Sequence, residues 1–416
     1  MRISTNQFYH RNTTNIIERQ SSVNQSILNI SEGKRVITAG DDAVATNSIL
    51  NIRQEQALLK QYQTNIDFAD SRINVQESAM KSAEDVMFRI KDLVLQGNSV
   101  SNDDAARQAI ADELKERKEE LLSLANSRDE SGSYVFGGFQ TNNPPFEEQA
   151  NSDVVYHGDN GQRETNIGPG VKVATSDSGD KIFMEIASST GDFRPTYNLN
   201  AGIDNIDRAI LTDASISDRA NYVPVGTPDD YSINFATMAS GEMGVTVIDS
   251  AGTQQYPLLP QPAAPYVAGD TITFNGVSAT LKNTPQDGDS ISITPEPDVD
   301  IFGVIEDAIS WLESGNGVGV DEAQRQLDVG HILGDIDQIQ IELGGVRAEI
   351  GARLQITESQ NNRHEDYNLT IEKSRSALED LDMVEAISVF EQQKLSLQAA
   401  QTAFSQVQNM NLLNFL

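Results

Sequence analysis

Four histidines, His10, His157, His331 and His364, and the paired carboxylates Asp41-Asp42 are the residues of this 416-residue chain whose types suggest chemistry. Imidazoles would serve proton transfer or zinc, and adjacent carboxylates a divalent cation. Their spacing argues against each role. No two histidines stand at metal-ligand spacing, and Asp41-Asp42 have neither a third carboxylate in the motif nor a histidine nearby. Following the turn Thr38-Ala39-Gly40, either aspartate is expected to N-cap a helix, with its charge favourable at the positive end of the dipole. His331 and His364 fall within a long helical pattern, where a solvent-facing or merely tolerated histidine is expected.

The remaining signatures of catalysis are missing from the sequence. There is no Gly-x-x-x-x-Gly-Lys-Ser/Thr loop, no Gly-x-Ser-x-Gly elbow and no calcium loop. Without cysteine, disulfides, cysteine-ligated zinc and thiol catalysis are excluded. With 62 Asp and Glu against 30 Lys and Arg, a pair of carboxylates carries no information. The chain reads as a non-enzymatic protein with no catalytic, cofactor-binding or metal residues.

What the residues are spaced to do is associate. Ile52, Leu59, Ile66, Ile73, Met80, Met87 and Val94 recur every seven residues, as do Met383, Phe390, Leu397 and Phe404, the latter joined by Ala386, Ala400 and Val407. A strict seven-residue repeat keeps an apolar stripe on one side of supercoiling helices, so each series requires a partner helix. Val329, Ile336, Leu343 and Ile350, with Ile332, Ile339 and Val346 three beyond the first three, form the natural mate of the first series. Its Gly344, Gly345 and Gly351 each cost about 1 kcal/mol, which close approach to a neighbouring backbone would offset. Phe8, Ile16, Val23, Ile27 and Ile30 have roughly helical spacing in a segment rich in Asn, Ser and Thr. That helix is expected to order only against a partner. The expected packing is Met383, Phe390, Leu397, Phe404 and Val407 on these N-terminal residues of the same or a neighbouring subunit, and the apolar tail through Leu412 also needs cover.

The elements that would position these seams follow from the punctuation. All thirteen prolines lie between Pro144 and Pro297, so the flanks read as helix and the centre does not. One helix is expected from Ala43 to about Gln96, broken at Gly97-Asn98-Ser99. A second, capped within Asn102-Asp103-Asp104, runs antiparallel to it as far as about Asn126. Tyr134 to Phe139 suggests a short hairpin or extended strand, ended by Pro144-Pro145. Strands are expected at Val154 to Tyr156, Lys181 to Ile186, Tyr231 to Phe235, Gly244 to Ile248, Thr271 to Phe274, Val277 to Leu281 and Ser290 to Ile293. Hairpin signals stand at Asn160-Gly161, Asn275-Gly276 and Asp287-Gly288. A short helix is expected near Ile203 to Leu211, another at Val304 to Leu312, and a long one from about Asp321. A polar window, Thr357 to Asn368, precedes a final amphipathic helix from about Ala377 to Gln408.

The fold class is therefore α+β: a long antiparallel helical coiled-coil bundle built from both termini, with a central antiparallel β-rich outer domain. The expected division is an inner-core segment (1–42), a helical half with a β-hairpin (43–149), the outer domain (150–300), the other helical half (301–376) and a second inner-core helix (377–416). A net charge of −32 argues against nucleic acid and anionic membrane as partners. No stretch approaches a membrane span, and the start lacks the apolar core of a cleaved signal. Any route out of the cell is expected to avoid that pathway.

Arg2-Ile3-Ser4-Thr5-Asn6-Gln7, Gly33-Lys34-Arg35 with Asp41-Asp42, and the ending from Glu379-Asp380-Leu381-Asp382-Met383 through Phe390-Glu391-Gln392-Gln393-Lys394 to Leu412-Leu413-Asn414-Phe415-Leu416 resemble the bacterial flagellin superfamily. Tyr134 to Phe139, Pro144-Pro145-Phe146 and Gly179 to Phe183 are similar to its hook-associated members. The resemblance covers both flanks and weakens over residues 190 to 300. It implies a structural junction role at the hook–filament boundary, outside the cell, after unfolded export through the flagellar type III apparatus without a cleaved signal. The implied partners are neighbouring copies, the preceding hook-associated protein, flagellin, and an export chaperone covering the C-terminal seam. A filament subunit is the alternative within the superfamily. An adhesin would instead use Tyr222, Tyr231, Tyr256 and Tyr266 on glycans, although strand aromatics are more often core.

Overall fold

The computed structural model describes residues 5–99, 101–200, 208–222, 230–258, 261–296, 298–314 and 322–413, except the side chains of 5, 6, 8, 322 and 407–413. The chain divides into two compact units, one of residues 1–65 and 359–416, the other of residues 66–358. The first holds 11 Lys and Arg against 13 Asp and Glu, so nearly all of the −32 charge belongs to the second.

The terminal unit contains helix α1 (Thr5–Glu32), the start of α2 (Ala43–Gly97), the end of α5 (Glu322–Glu379) and α6 (Met383–Leu413). Gly33, at φ +67°, ends α1 in the left-handed conformation that stops a helix. Asp42 Oδ1 accepts from the Val44 and Ala45 amides and caps α2, while Asp41 Oδ2 accepts from the Ile37 and Thr38 amides. Both aspartates are thus spent on backbone. The polar window does not interrupt α5, and the last helix begins at Met383 instead of Ala377. Its cap is Asp382, which accepts from the Val384 and Glu385 amides.

In the second unit α2 turns into α3 (Asp104–Ala125), whose N-cap is Asp103. The two run antiparallel, with Arg89 bound to Glu113 and, farther along, Arg72 to Asp129. Helix α5 is the mate of α2: Arg347 meets Glu77 and Glu84, Lys91 meets Asp337, and Asn98 pairs with Gln326. Ile66, Ile73, Met80, Met87 and Val94 are buried in one core with Ile336, Ile339, Leu343 and Ile350. Each such side chain contributes about 1.5–3 kcal/mol of apolar burial. Gly344, Gly345 and Gly351 do not mark close approach, because a Cβ at each would meet nothing within 4 Å. The helix carries their propensity cost without that compensation. Helix α4 (Ile301–Glu313) closes the same core with Phe302 and Trp311.

Two small hairpins, β1 (Phe146–Glu148) with β2 (Val154–Tyr156) and β3 (Glu164–Gly168) with β4 (Val171–Ala174), line this bundle. Strand β5 (Ile186–Ala187) pairs with β15 (Asp298–Val299). Between them lie β6 (Phe193–Asn198), β7 (Ile210–Ile216), β8 (Tyr231–Thr237), β9 (Met243–Asp249), β10 (Gln254–Tyr256), β11 (Ala264–Pro265), β12 (Thr271–Phe274), β13 (Val277–Lys282) and β14 (Ser290–Pro295). One antiparallel sheet has the order β10-β9-β8-β14-β6, with β11 also on β9, and a second has the order β12-β13-β7. Phe193, Tyr231, Phe235, Val247 and Ile291 from the first share a core with Phe274, Val277 and Leu281 from the second. Phe193 pairs with Pro295 and Ala187 with Asp298, so the chain enters and leaves this β-sandwich at adjacent positions.

Several local expectations are corrected. Asn275-Gly276, at φ +42° and +79°, makes the β12–β13 hairpin, but Asp287-Gly288, in the connection from β13 to β14, closes no hairpin. Strand β14 pairs instead with β6 and β8, and the Gly288 amide donates to the Phe235 carbonyl. Asn160-Gly161 links β2 to β3, which belong to different hairpins. Lys181 to Ile186 is not a strand but a π-helical turn, Asp180–Met184, followed by β5. A strand sends successive side chains to opposite faces, whereas this turn buries the consecutive Ile182 and Phe183, the latter against Phe136, Phe146 and Phe302. The short helix near Ile203 is replaced at its end by β7, which pairs with β13; residues 203–207 lie outside the described residues. Tyr134 to Phe139 forms only single bridges, Arg128 to Tyr134 and Gly137 to Ser178, with Phe136 buried and Phe139 exposed. Tyr231 is buried, and Tyr222, Tyr256 and Tyr266 pack partly buried against the sandwich core, so these rings form no open platform for glycans.

Candidate functional site

The terminal unit is where the sequence placed association, and its geometry begins at a chain reversal. After Gly33 the backbone turns beside the end of α5: the Arg35 amide donates to the Glu379 carbonyl, and the Leu381 amide to the Gly33 carbonyl. Helices α1 and α6 leave this bridge side by side and antiparallel. Ser26 Oγ donates to Gln393 Oε1 at 2.7 Å, Arg19 reaches Ser396, and Tyr9 stands edge-on to Phe404 with centroids 5.9 Å apart.

Of the residues expected in the seam, Val23 is buried and Ile16, Ile30, Phe390, Leu397 and Phe404 are half-buried. Ile16 and Phe404 line one groove with Ala400. Phe390 is covered partly by its own helix, with the Lys394 amine 5.8 Å from the ring centroid. Ile27 and Met383 are exposed. The side chains of Phe8, Val407 and Leu412 lie outside the described residues. A second set of apolar side chains points away from the pair: Ile17, Val384 and Leu395 are 62%, 80% and 63% exposed, with Leu28 and Ile387 about half exposed.

The anchor of this arrangement escaped the sequence reading. Glu379 is buried, with Lys34 Nζ at 2.6 Å and Arg53 Nη2 at 2.7 Å from Oε1, and Arg375 at 3.9 Å from Oε2. The Lys34 hydrogen bond, helped by the Arg53 and Lys34 charges, holds its carboxyl below the ordinary value. Beside it Val36, Ala45 and Ile49 pack with Leu378, whose carbonyl accepts from Arg35. The available signal was Gly33-Lys34-Arg35, a helix-stopping glycine followed by two cations. His364 is buried rather than solvent-facing and stacks on Tyr62 at 5.6 Å; His331, in the other unit, is also largely buried. Among the described residues no group of three or more His, Asp or Glu is arranged to hold a metal, and no helix is long and apolar enough to cross a membrane. What the terminal unit offers is apolar surface on a positioned helix pair.

Comparison with known proteins bears on these elements. Residues 3–141 match the model of the bacterial flagellin N-terminal helical region, and residues 333–416 that of the C-terminal helical region. Flagellar hook-associated protein 3 of Escherichia coli (strain K12) is 27% identical over 189 residues, and that of Salmonella typhimurium 29% over 190. These alignments take in 45% of this chain and 59% of each relative. The crystal structure of the flagellar junction protein FlgL from Legionella pneumophila, 28% identical, superposes with a TM-score of 0.66 over 80% of this chain and all of its own. FlgL from Xanthomonas campestris, 27% identical, gives 0.62 over 78% of this chain and 99% of its own. The two terminal matches together span more than half of the sequence and coincide with the paired helices, and the chain belongs to the bacterial flagellin family.

Proposed function

We propose that this protein is a structural, non-enzymatic subunit of the bacterial flagellum that connects the hook-associated zone to the flagellin filament. The observation that carries the proposal is the uncovered apolar set on the terminal helix pair, Ile17, Leu28, Val384, Ile387 and Leu395. One copy leaves this surface in water, and packing against helices of neighbouring subunits removes it. Residues 1–42 and 377–416 form the inner contacts, and the sandwich is peripheral. Its partners are further copies of itself, the preceding hook-associated protein and flagellin, with an export chaperone covering the α6 seam before secretion. Its place is extracellular, reached without a cleaved signal. The likeness to two FlgL structures supports a junction role over a filament subunit.

The test is deletion of this gene alone, with electron microscopy of the cells. Intact hooks with flagellin shed into the medium are the expected outcome; normal filaments would overturn the proposal.

A further inference from the structure

Away from the terminal unit, His331 on α5 stands at the joint between that helix and the β-sandwich. Its side chain is 9% exposed, and Nε2 lies 3.2 Å from Asp335 Oδ2, itself buried. Neither ring nitrogen makes a well-directed hydrogen bond. Asp335 is also the joint's fastener, since its Oδ1 accepts the Ser189 amide at 2.9 Å just before β6. Close approach is built in at Gly334, where a Cβ would sit 2.9 Å from Ser189 Oγ. One turn earlier, Leu327 is buried in the sandwich core.

We propose that His331 is an acid-sensitive latch: uncharged, it lets the sandwich close on α5, and a proton on its ring loosens that joint. The idea is independent of the junction role. The charged and titratable groups facing the ring are Asp328 and Asp335 from its own helix, Asp307 from α4, Arg194 and Tyr197 from β6, and Glu296 following β14. Arg194 is already bound to Asp307 and Glu296. Burial depresses the His331 pKa, with Asp335 opposing, whereas burial raises Asp328. Tyr197, pushed up to about 12, stays neutral throughout.

The sign follows. A histidine depressed in the folded state contributes stability that is complete above its unfolded value, about 6.5, and is lost as pH falls through the folded value. Asp328 acts in the opposite direction, because acid relieves the cost of burying its charge. A variant lacking only the imidazole separates the two.

Hydrogen exchange on the full chain tests the latch. After correction for intrinsic rates, protection of amides 188–197 should fall about tenfold between about pH 7.5 and 5.5, while β8 and β9 keep theirs. His331→Gln should show no such fall. An unchanged wild type, or the same loss in His331→Gln, overturns the proposal. If His331→Gln does not fold, the wild type decides by two readouts together: a fall in protection of amides 188–197 that tracks a His331 NMR midpoint below about 6.5 supports the latch, and a midpoint at or above it, or a fall that does not track it, overturns the proposal.

Discussion

Lys34 Nζ lies 2.6 Å from Glu379 Oε1, so the turn that ends α1 is tied to the last residue of α5. Arg53 closes on the same oxygen. Glu379 is 3% exposed in its side chain, while Lys34 and Arg53 are 39% and 49% exposed. Glu379→Ala should therefore cost about 1–2 kcal/mol, below the ~3–5 kcal/mol of a fully buried pair, because water takes back the two cations. Hydrogen exchange over residues 33–49 reads the loss; unchanged protection would mean that Val36, Ala45, Ile49 and Leu378 hold the joint alone.

The same carboxylate makes the terminal unit acid-sensitive. Its folded pKa is held below the ordinary 4.5, so its contribution is complete above that value and disappears as pH falls through the folded one. Hydrogen exchange over residues 33–49, read at each pH and corrected for intrinsic rates, should speed up below pH 4.5 in wild type. Glu379→Gln should already exchange faster at neutral pH and change less.

Phe404→Asp should abolish assembly and leave the sandwich folded. Phe404 stands edge-on to Tyr9 and lines a groove with Ile16 and Ala400, so aspartate removes the ring contact and sets a charge against apolar side chains, a cost that Arg19 at the same groove offsets only in part. Soft-agar swimming with circular dichroism of the purified variant checks both halves; motile cells would refute the assignment of this seam.

Arg208 and Asp289 form an ion pair with side chains 0% and 2% exposed. Arg208→Met should destabilise the sandwich by about 3–5 kcal/mol, since the buried Asp289 loses its cation and is left, among the described residues, with the Asn200 and Gln286 amides as donors. Thermal unfolding measures it. A shift too small to resolve would show that water reaches Asp289.

Excising residues 193–295 and joining the ends with a tight turn should leave the remaining core folded, because Phe193 and Pro295 are register partners. Retained filaments in cells carrying this version are expected; shed flagellin would show that the sandwich contributes to the junction.

Helices were legible because their signals are local. Seven-residue spacing and the capping aspartates Asp42 and Asp103 locate α2 and α3, and the proline-free flanks bound the β region. What escaped depends on distant chain. The partners of β14 are β6 and β8, a choice that Asp287-Gly288 cannot reveal, and the π-helical turn at Asp180–Met184 exists to place Phe183 among rings far apart in sequence. Glu379 looked like one carboxylate among many until the Gly33 turn brought Lys34 and Arg53 beside it. Within one chain the α1–α6 pair buries Val23 while Ile27 and Met383 face water, since two helices cannot cover apolar residues on more than one side of each.

The pairing of Ala187 with Asp298 makes the sandwich a guest in a host that closes behind it. Any insert whose first and last strands meet antiparallel at that doorway leaves the host's path unchanged. The guest can be enlarged, exchanged or removed at that doorway without lengthening the path between the flanking helices.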